Sequence, residues 1–195
     1  SGSSWGAGQE PVGPPAASPG SRPPPMPVFE SRFTVRAPCE AVCAFHQGDA
    51  ERAFAALAPP GTPVTFQVPM RAMVEGATLG FTLWLAGCIP VRWVAKHSEV
   101  GPEGFVDTMV EGPVESWVHR HRFTATGPES ALVEDSIAYE YGKWPRGLFA
   151  LLVFNPLALR VLFSWRRIAT RRCLEGGGLE RPLLRGEARE EQQQQ

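Results

Sequence analysis

Between residues 28 and 141 apolar and polar side chains mostly alternate with a period of two, which predicts strands that bury one face. Phe29, Ser31, Phe33 and Val35 alternate with polar residues as a first strand. Ala37-Pro38 then opens a short helix that ends near Gly48, and Asp49 caps a second helix running through Leu57 to the stop at Pro59-Pro60. Extended segments follow at about 62–69, 70–75, 78–86, 91–99, 105–111, 115–125 and 131–141. The first two are expected to be one bent strand, or a strand and a loop. Gly87 to Pro90, Gly101-Pro102-Glu103-Gly104 and Gly127-Pro128-Glu129 separate the later ones. From Arg146 to about Leu174 the period becomes helical and the composition strongly apolar. Pro156, following Asn155, is expected to kink this long helix, because its ring removes one backbone donor and crowds the preceding turn.

The most informative stretch runs from Gly112 to Phe123. Trp117, His119, His121 and Phe123 recur at every second position, so a strand places all four on one face. Two aromatics sharing a face with two imidazoles describe an apolar surface with a few hydrogen-bonding groups, the chemistry of a ligand pocket. Val118, Arg120, Arg122 and Thr124 take the opposite face and can meet water, as in an antiparallel sheet with one face solvated. An antiparallel sheet wrapped around a cavity follows.

Composition sharpens this picture at the ends. Residues 1–27 are rich in Pro and Gly and poor in large apolar side chains, and are read as an extended arm. Residues 176–195, opening on Gly176 to Gly178 and closing on four Gln, are read as a polar tail, which leaves residues 28–175 as one folded domain. A net charge of −1 gives no basic footprint for nucleic acid. Cys39, Cys43, Cys88 and Cys173 lack paired metal spacing and are expected to be free thiols, which favours a reducing, intracellular compartment. Ser1 suggests a processed or partial chain, an organellar one if a transit peptide was removed. Leu148, Leu151, Leu152, Phe154, Leu159, Val161, Leu162, Phe163 and Trp165 cover more of the long helix than one sheet can bury. Some of that surface is expected to meet a ligand, a membrane or a partner. A spanning helix is set aside, because Pro156 and Arg160 fall mid-segment.

Arg92-Trp93, His97, Phe105-Val106-Asp107, Gly112-Pro113, the Trp117-to-Phe123 run and Asp135-Ser136-Ile137-Ala138-Tyr139 together resemble the SRPBCC superfamily, over about 29–173. The closer likeness is to members associated with epimerase-like domains, although Gly61 and Val114 stand where those members carry aromatics. The resemblance implies an α+β, START-like helix-grip fold, a curved antiparallel sheet gripping a C-terminal helix around a cavity. Relatives of that fold bind sterols, phospholipids, quinones or polyketides.

Trp93, His97, Asp107, Trp117, His119, His121, Asp135 and Tyr139 are accordingly the expected lining of the cavity. Asp107 and Asp135 would orient His97, His119 or His121, which then bind a carbonyl or hydroxyl of the ligand, since a buried imidazole needs a partner to fix its tautomer. His-x-His with a nearby carboxylate also fits zinc, yet no metal and no cofactor are expected. No nucleophile elbow, phosphate loop or dinucleotide fingerprint is present. The expected function is non-catalytic carriage of a hydrophobic small molecule. An accessory subunit of a larger, membrane-embedded assembly and a cyclase-type acid-base enzyme are the alternatives. An anionic membrane surface or membrane complex would be met through residues 146–172 and the N-terminal arm.

Overall fold

The computed structural model describes residues 26–67 and 72–176. Both terminal tails lie outside these residues. Within them the order is β1 (Val28–Val35), α1 (Cys39–Gln47), α2 (Ala50–Leu57), β2 (Val64–Phe66), β3 (Thr78–Leu85), β4 (Ile89–Gly101), β5 (Gly104–Glu111), β6 (Ser116–Gly127), β7 (Ser130–Glu140), α3 (Arg146–Phe154) and α4 (Pro156–Glu175). All seven strands form one antiparallel sheet in the order β1-β7-β6-β5-β4-β3-β2. The first strand closes against the last, so α1 and α2 must cross from one edge of the sheet to the other. The α+β helix-grip architecture expected from the sequence is the one observed.

Local chemistry explains the element ends. Asp49 accepts the Arg52 amide at 3.1 Å and so caps α2. The segment expected at 70–75 holds no strand over its described residues, 72–75, and of 62–69 only Val64–Phe66 pairs with β3. Residues 68–71 lie outside the described set. Gly104, at φ +140, brings its backbone against the His121 carbonyl, an approach that a Cβ would block.

The long C-terminal helix is the main correction. Instead of one kinked rod there are two helices meeting at a 44° bend. Asn155 precedes Pro156 and is pushed out of the helical region to φ −64, ψ 162. Its side chain then accepts the amides of Leu157 and Ala158, both at 3.0 Å. Asn155-Pro156 is thus a cap followed by a proline in the first turn, where the missing N–H costs nothing. Among the described residues no single helix is long and apolar enough to cross a membrane.

The concave face of the sheet carries the core. Leu79, Phe81, Trp93, Ala95, Trp117, Ile137 and Tyr139 from the strands pack with Phe154, Leu159 and Phe163 from α3 and α4. Phe33, Val35, Phe105, Phe123 and Val133 form a second cluster with Val42 and Cys43 of α1. On β6 the inward positions are buried while Arg120, Arg122 and Thr124 face solvent.

Candidate functional site

Register builds the site. His97 pairs with Asp107 across β4–β5, Asp107 with His119 across β5–β6, and His119 with Ile137 across β6–β7. One step along, Phe105 pairs with His121 and His121 with Asp135. Two neighbouring cross-strand rows therefore hold three imidazoles and two carboxylates on the concave face, with diagonal neighbours within reach.

The contacts follow that grid. His97 Nδ1 lies 2.6 Å from Asp107 Oδ1, and His119 Nε2 lies 3.0 Å from Asp135 Oδ1. His121 Nε2 stands 3.4 Å from Asp107 Oδ2. His121 Nδ1 is also 3.0 Å from Asp135 Oδ1, but off the direction of a hydrogen bond, which makes this a charge contact only. The rings stack as well: His121 on Phe105 at 4.2 Å and His119 against His121 at 3.8 Å between centroids.

Charge states follow from these partners. Burial would raise the Asp107 carboxyl, but hydrogen bonds from His121 and His97 outweigh it and hold the group well below the usual range. Asp135 is held low in the same way, burial being outweighed by its hydrogen bond with His119 and the close His121 ring. Burial opposes protonation of His121, yet the two carboxylates beside it raise its pKa. His119 is pushed down to about 4, by burial first and then by the positive charge of His121. At neutral pH Asp107 and Asp135 are carboxylates and the His119 ring is neutral, with His121 drawn toward its protonated form.

A cavity of about 320 Å³ opens beside this patch, within the size range of small-molecule sites. Of the eight residues expected to line it, Trp93, His97, Asp107, Trp117, His119 and His121 do so. Asp135 and Tyr139 do not. Leu159 and Phe163 of α4 cover the β7 side of the sheet, so Asp135 stands behind the two histidines and Tyr139 joins the core cluster. The rest of the wall is apolar: Phe54 and Leu57 from α2, Leu79 and Phe81 from β3, Phe154 from α3 and Leu162 from α4. Trp93 and Trp117 meet edge to face at 5.3 Å, with Phe154 closing on both.

Two wall residues escaped sequence reasoning. His46 of α1 retains some exposed surface, but its Nε2 is sealed from solvent, and burial pushes its pKa down to about 3. It stacks on Phe123 at 5.1 Å. Its spacing of four from buried Val42 was the available signal. Arg166 of α4 reaches the cavity with its guanidinium 5.2 Å from the Phe163 ring and no carboxylate partner among the described residues.

Asp107, His119 and His121 bring one potential ligand atom each within 4.8 Å of one another, a donor set suited to zinc. The arrangement already satisfies itself: both Asp107 oxygens face imidazole nitrogens, and His121 is drawn toward its protonated form. A cation would have to displace that proton.

Solved structures with the same fold include a protein of Chromobacterium violaceum, with a TM-score of 0.60 at 12% identity over 76% of this chain and 97% of that one. A START superfamily protein from Mycobacterium smegmatis matches with a TM-score of 0.56 at 12% identity, over 76% and 97% of the two chains. Norcoclaurine synthase from Thalictrum flavum, solved with dopamine and hydroxybenzaldehyde, matches with a TM-score of 0.53 at 17% identity, over 75% and 85%. At these identities the likeness is one of fold. The chain has the START-like helix-grip fold. No family model and no curated protein sequence matches the chain.

Proposed function

We propose that this protein holds a hydrophobic small molecule, without covalent chemistry, in the cavity between the sheet, α2 and the α3–α4 corner. The observation that carries this reading is the cavity itself: about 320 Å³, walled by aromatic and aliphatic side chains, with a histidine–aspartate patch on one side. Trp93, His97, Asp107, Trp117, His119 and His121 are the residues proposed to contact the ligand. Asp135 orients the histidines from behind. His97, Asp107, His119, His121 and Asp135, all part of the motif shared with the epimerase-associated SRPBCC proteins, meet in this one network, which supports a kinship with that group. Native mass spectrometry of protein purified from its own source, followed by solvent extraction, tests the reading. A stoichiometric apolar molecule is expected. Failure of the purified protein to retain or take up any apolar compound would overturn it.

A second reading concerns the outer face of α3 and α4, where the protein is proposed to dock on an anionic lipid surface. Leu152, Leu157 and Val161 are 68%, 68% and 65% exposed, and Trp144 just before α3 is 82% exposed. Arg160 and Arg167 are exposed on α4, so apolar and cationic groups share one helix pair as in interfacial helices. Flotation with vesicles of phosphatidylserine and phosphatidylcholine should carry the protein upward, and vesicles of phosphatidylcholine alone should not. Binding that is absent from both, or equal in both, removes this reading.

A further inference from the structure

The sequence leaves open whether the polar patch binds a carbonyl or a hydroxyl. The tautomers decide between them. Asp107 and Asp135 are ionised and can only accept, so His97 must present Nδ1–H to Asp107 and His119 must present Nε2–H to Asp135. With a single proton on each ring, His97 Nε2 and His119 Nδ1 then carry lone pairs. His97 is 2% exposed and its Nε2 has no hydrogen-bond partner among the described residues. His46 Nε2 is likewise sealed and unpartnered. All three rings belong to the cavity wall. A buried acceptor left without a donor is costly, so the site favours an occupant that supplies one.

The same wall also holds a donor. Arg166 lines the cavity and has no carboxylate partner among the described residues. A ketone, ester or ether only accepts, and would answer Arg166 while leaving the imidazole lone pairs unmet. A carboxylate only accepts too, and would lie near the charges of Asp107 and Asp135. An ammonium only donates, and would face Arg166 and a His121 ring drawn toward its protonated form. A hydroxyl donates once and accepts twice.

We propose that the cavity selects an apolar molecule bearing a hydroxyl or phenol group, whose O–H donates to the sealed Nε2 of the Asp107-held His97. This rests on the cavity-binding reading above and specifies its ligand class: alcohols and phenols over the corresponding ketones, ethers, acids and amines.

Four matched probes test it on the full chain: 2-naphthol, 2-methoxynaphthalene, 2-naphthoate and 2-naphthylmethylamine, titrated at neutral pH. 2-Naphthol is expected to bind about tenfold tighter than its methyl ether, the effect of one hydrogen bond to a buried acceptor. The His97→Phe variant should narrow that ratio while still binding the ether, and His119→Phe should narrow it less. Should either variant fail to fold, ¹⁵N NMR of the unmodified protein reads the same point. 2-Naphthol should shift the unprotonated ring nitrogen of His97, and the ether should leave it in place. Binding of all four probes with no preference for the phenol, or with a preference for the naphthoate or the amine, overturns the hydroxyl assignment and leaves the cavity reading standing. Binding of none overturns both.

Discussion

His119 and Asp135 lie diagonally across β6 and β7, Nε2 3.0 Å from Oδ1, with side chains 7% and 5% exposed. The same oxygen stands 3.0 Å from His121 Nδ1, so one buried carboxylate holds two rings. Removing it would leave His121, which is drawn toward its protonated form, with less countercharge and His119 without the acceptor that fixes its tautomer. Breaking a buried pair in this way costs about 3–5 kcal/mol. Asp135→Ala is therefore expected to lower urea stability by that order. Asp107→Asn should cost less, because Asp107 is 24% exposed and its amide can still accept from His97. A loss below about 1 kcal/mol for Asp135→Ala would show that the network does not hold the sheet together.

Acid should destabilise the fold before its carboxylates titrate. His46 and His119 have pKa values pushed down to about 3 and about 4 from an ordinary 6.5. In that interval the unfolded chain binds protons that the folded state refuses, so stability falls as pH drops below about 6.5. His121 acts oppositely, its raised pKa contributing stability below 6.5 that is lost as pH rises through the folded value. Asp107 and Asp135, both held low, lose their contribution only in stronger acid. Two groups against one set a net fall in Tm between about pH 7 and about pH 5. His46→Phe keeps a ring against Phe123 and removes one of the two, so the Tm–pH slope should flatten. An identical slope in the variant would rule His46 out as a source of it.

Filling the cavity should separate binding from folding. Ala95 is 3% exposed, sits on β4 between Trp93 and His97, and lines the cavity. Ala95→Phe places a ring in that space, where overpacking strain of about 1–3 kcal/mol is relieved by the room available. The variant is expected to keep the circular dichroism and urea midpoint of the parent to within about 1 kcal/mol. It should lose uptake of 2-naphthol. Retained binding with the fold intact would place the ligand elsewhere.

Metal chelation should change nothing. Asp107, His119 and His121 converge, but Asp107 faces His97 and His121, His121 stands between two carboxylates, and His119 Nε2 is held by Asp135. Zinc binding would release the proton that His121 holds, which sets metal against two carboxylates that favour that proton. Treatment with EDTA should leave Tm unmoved, and elemental analysis should find less than one zinc per chain. A stoichiometric metal whose removal lowers Tm would replace the proton-held network with a metal centre.

Much of the sheet was legible because period-two alternation is a direct consequence of strand geometry, and β6 shows it most plainly, from Trp117 to Phe123. The union of His97, Asp107 and His119 in one row was not readable from spacing alone, since it depends on cross-strand register and on the register shifts along β4. Tyr139 was expected at the cavity because it faces the same side as Asp135. Its exclusion depends on where α4 lies across the sheet, a tertiary fact that no local pattern encodes. His46 and Arg166 were missed for the same reason, as each enters from a helix whose rotation against the sheet fixes which side chain reaches inward. The single kinked helix was a local misreading: Asn155-Pro156 carries the signature of a cap as well as that of a kink.

That cap yields the last prediction. Asn155 supplies one oxygen to two amides of the first turn of α4, and its Nδ2 donates to the Leu152 carbonyl at 3.1 Å, at the end of α3. It therefore ties together two helices that each contribute to the cavity, Val153 and Phe154 on one side and Ala158, Leu159 and Leu162 on the other. Asn155→Ala removes the cap at a cost of about 1 kcal/mol, whereas Asn155→Asp keeps the acceptor, adds a negative charge at the N-terminal end of the α4 dipole, and should cost little. If the corner shapes the cavity, Asn155→Ala should also weaken 2-naphthol binding beyond what its lost stability explains, measured well below the unfolding temperature. Equal binding by the alanine and aspartate variants would mean that the packing of Phe154 and Leu159 sets the corner and Asn155 only fastens the helix end.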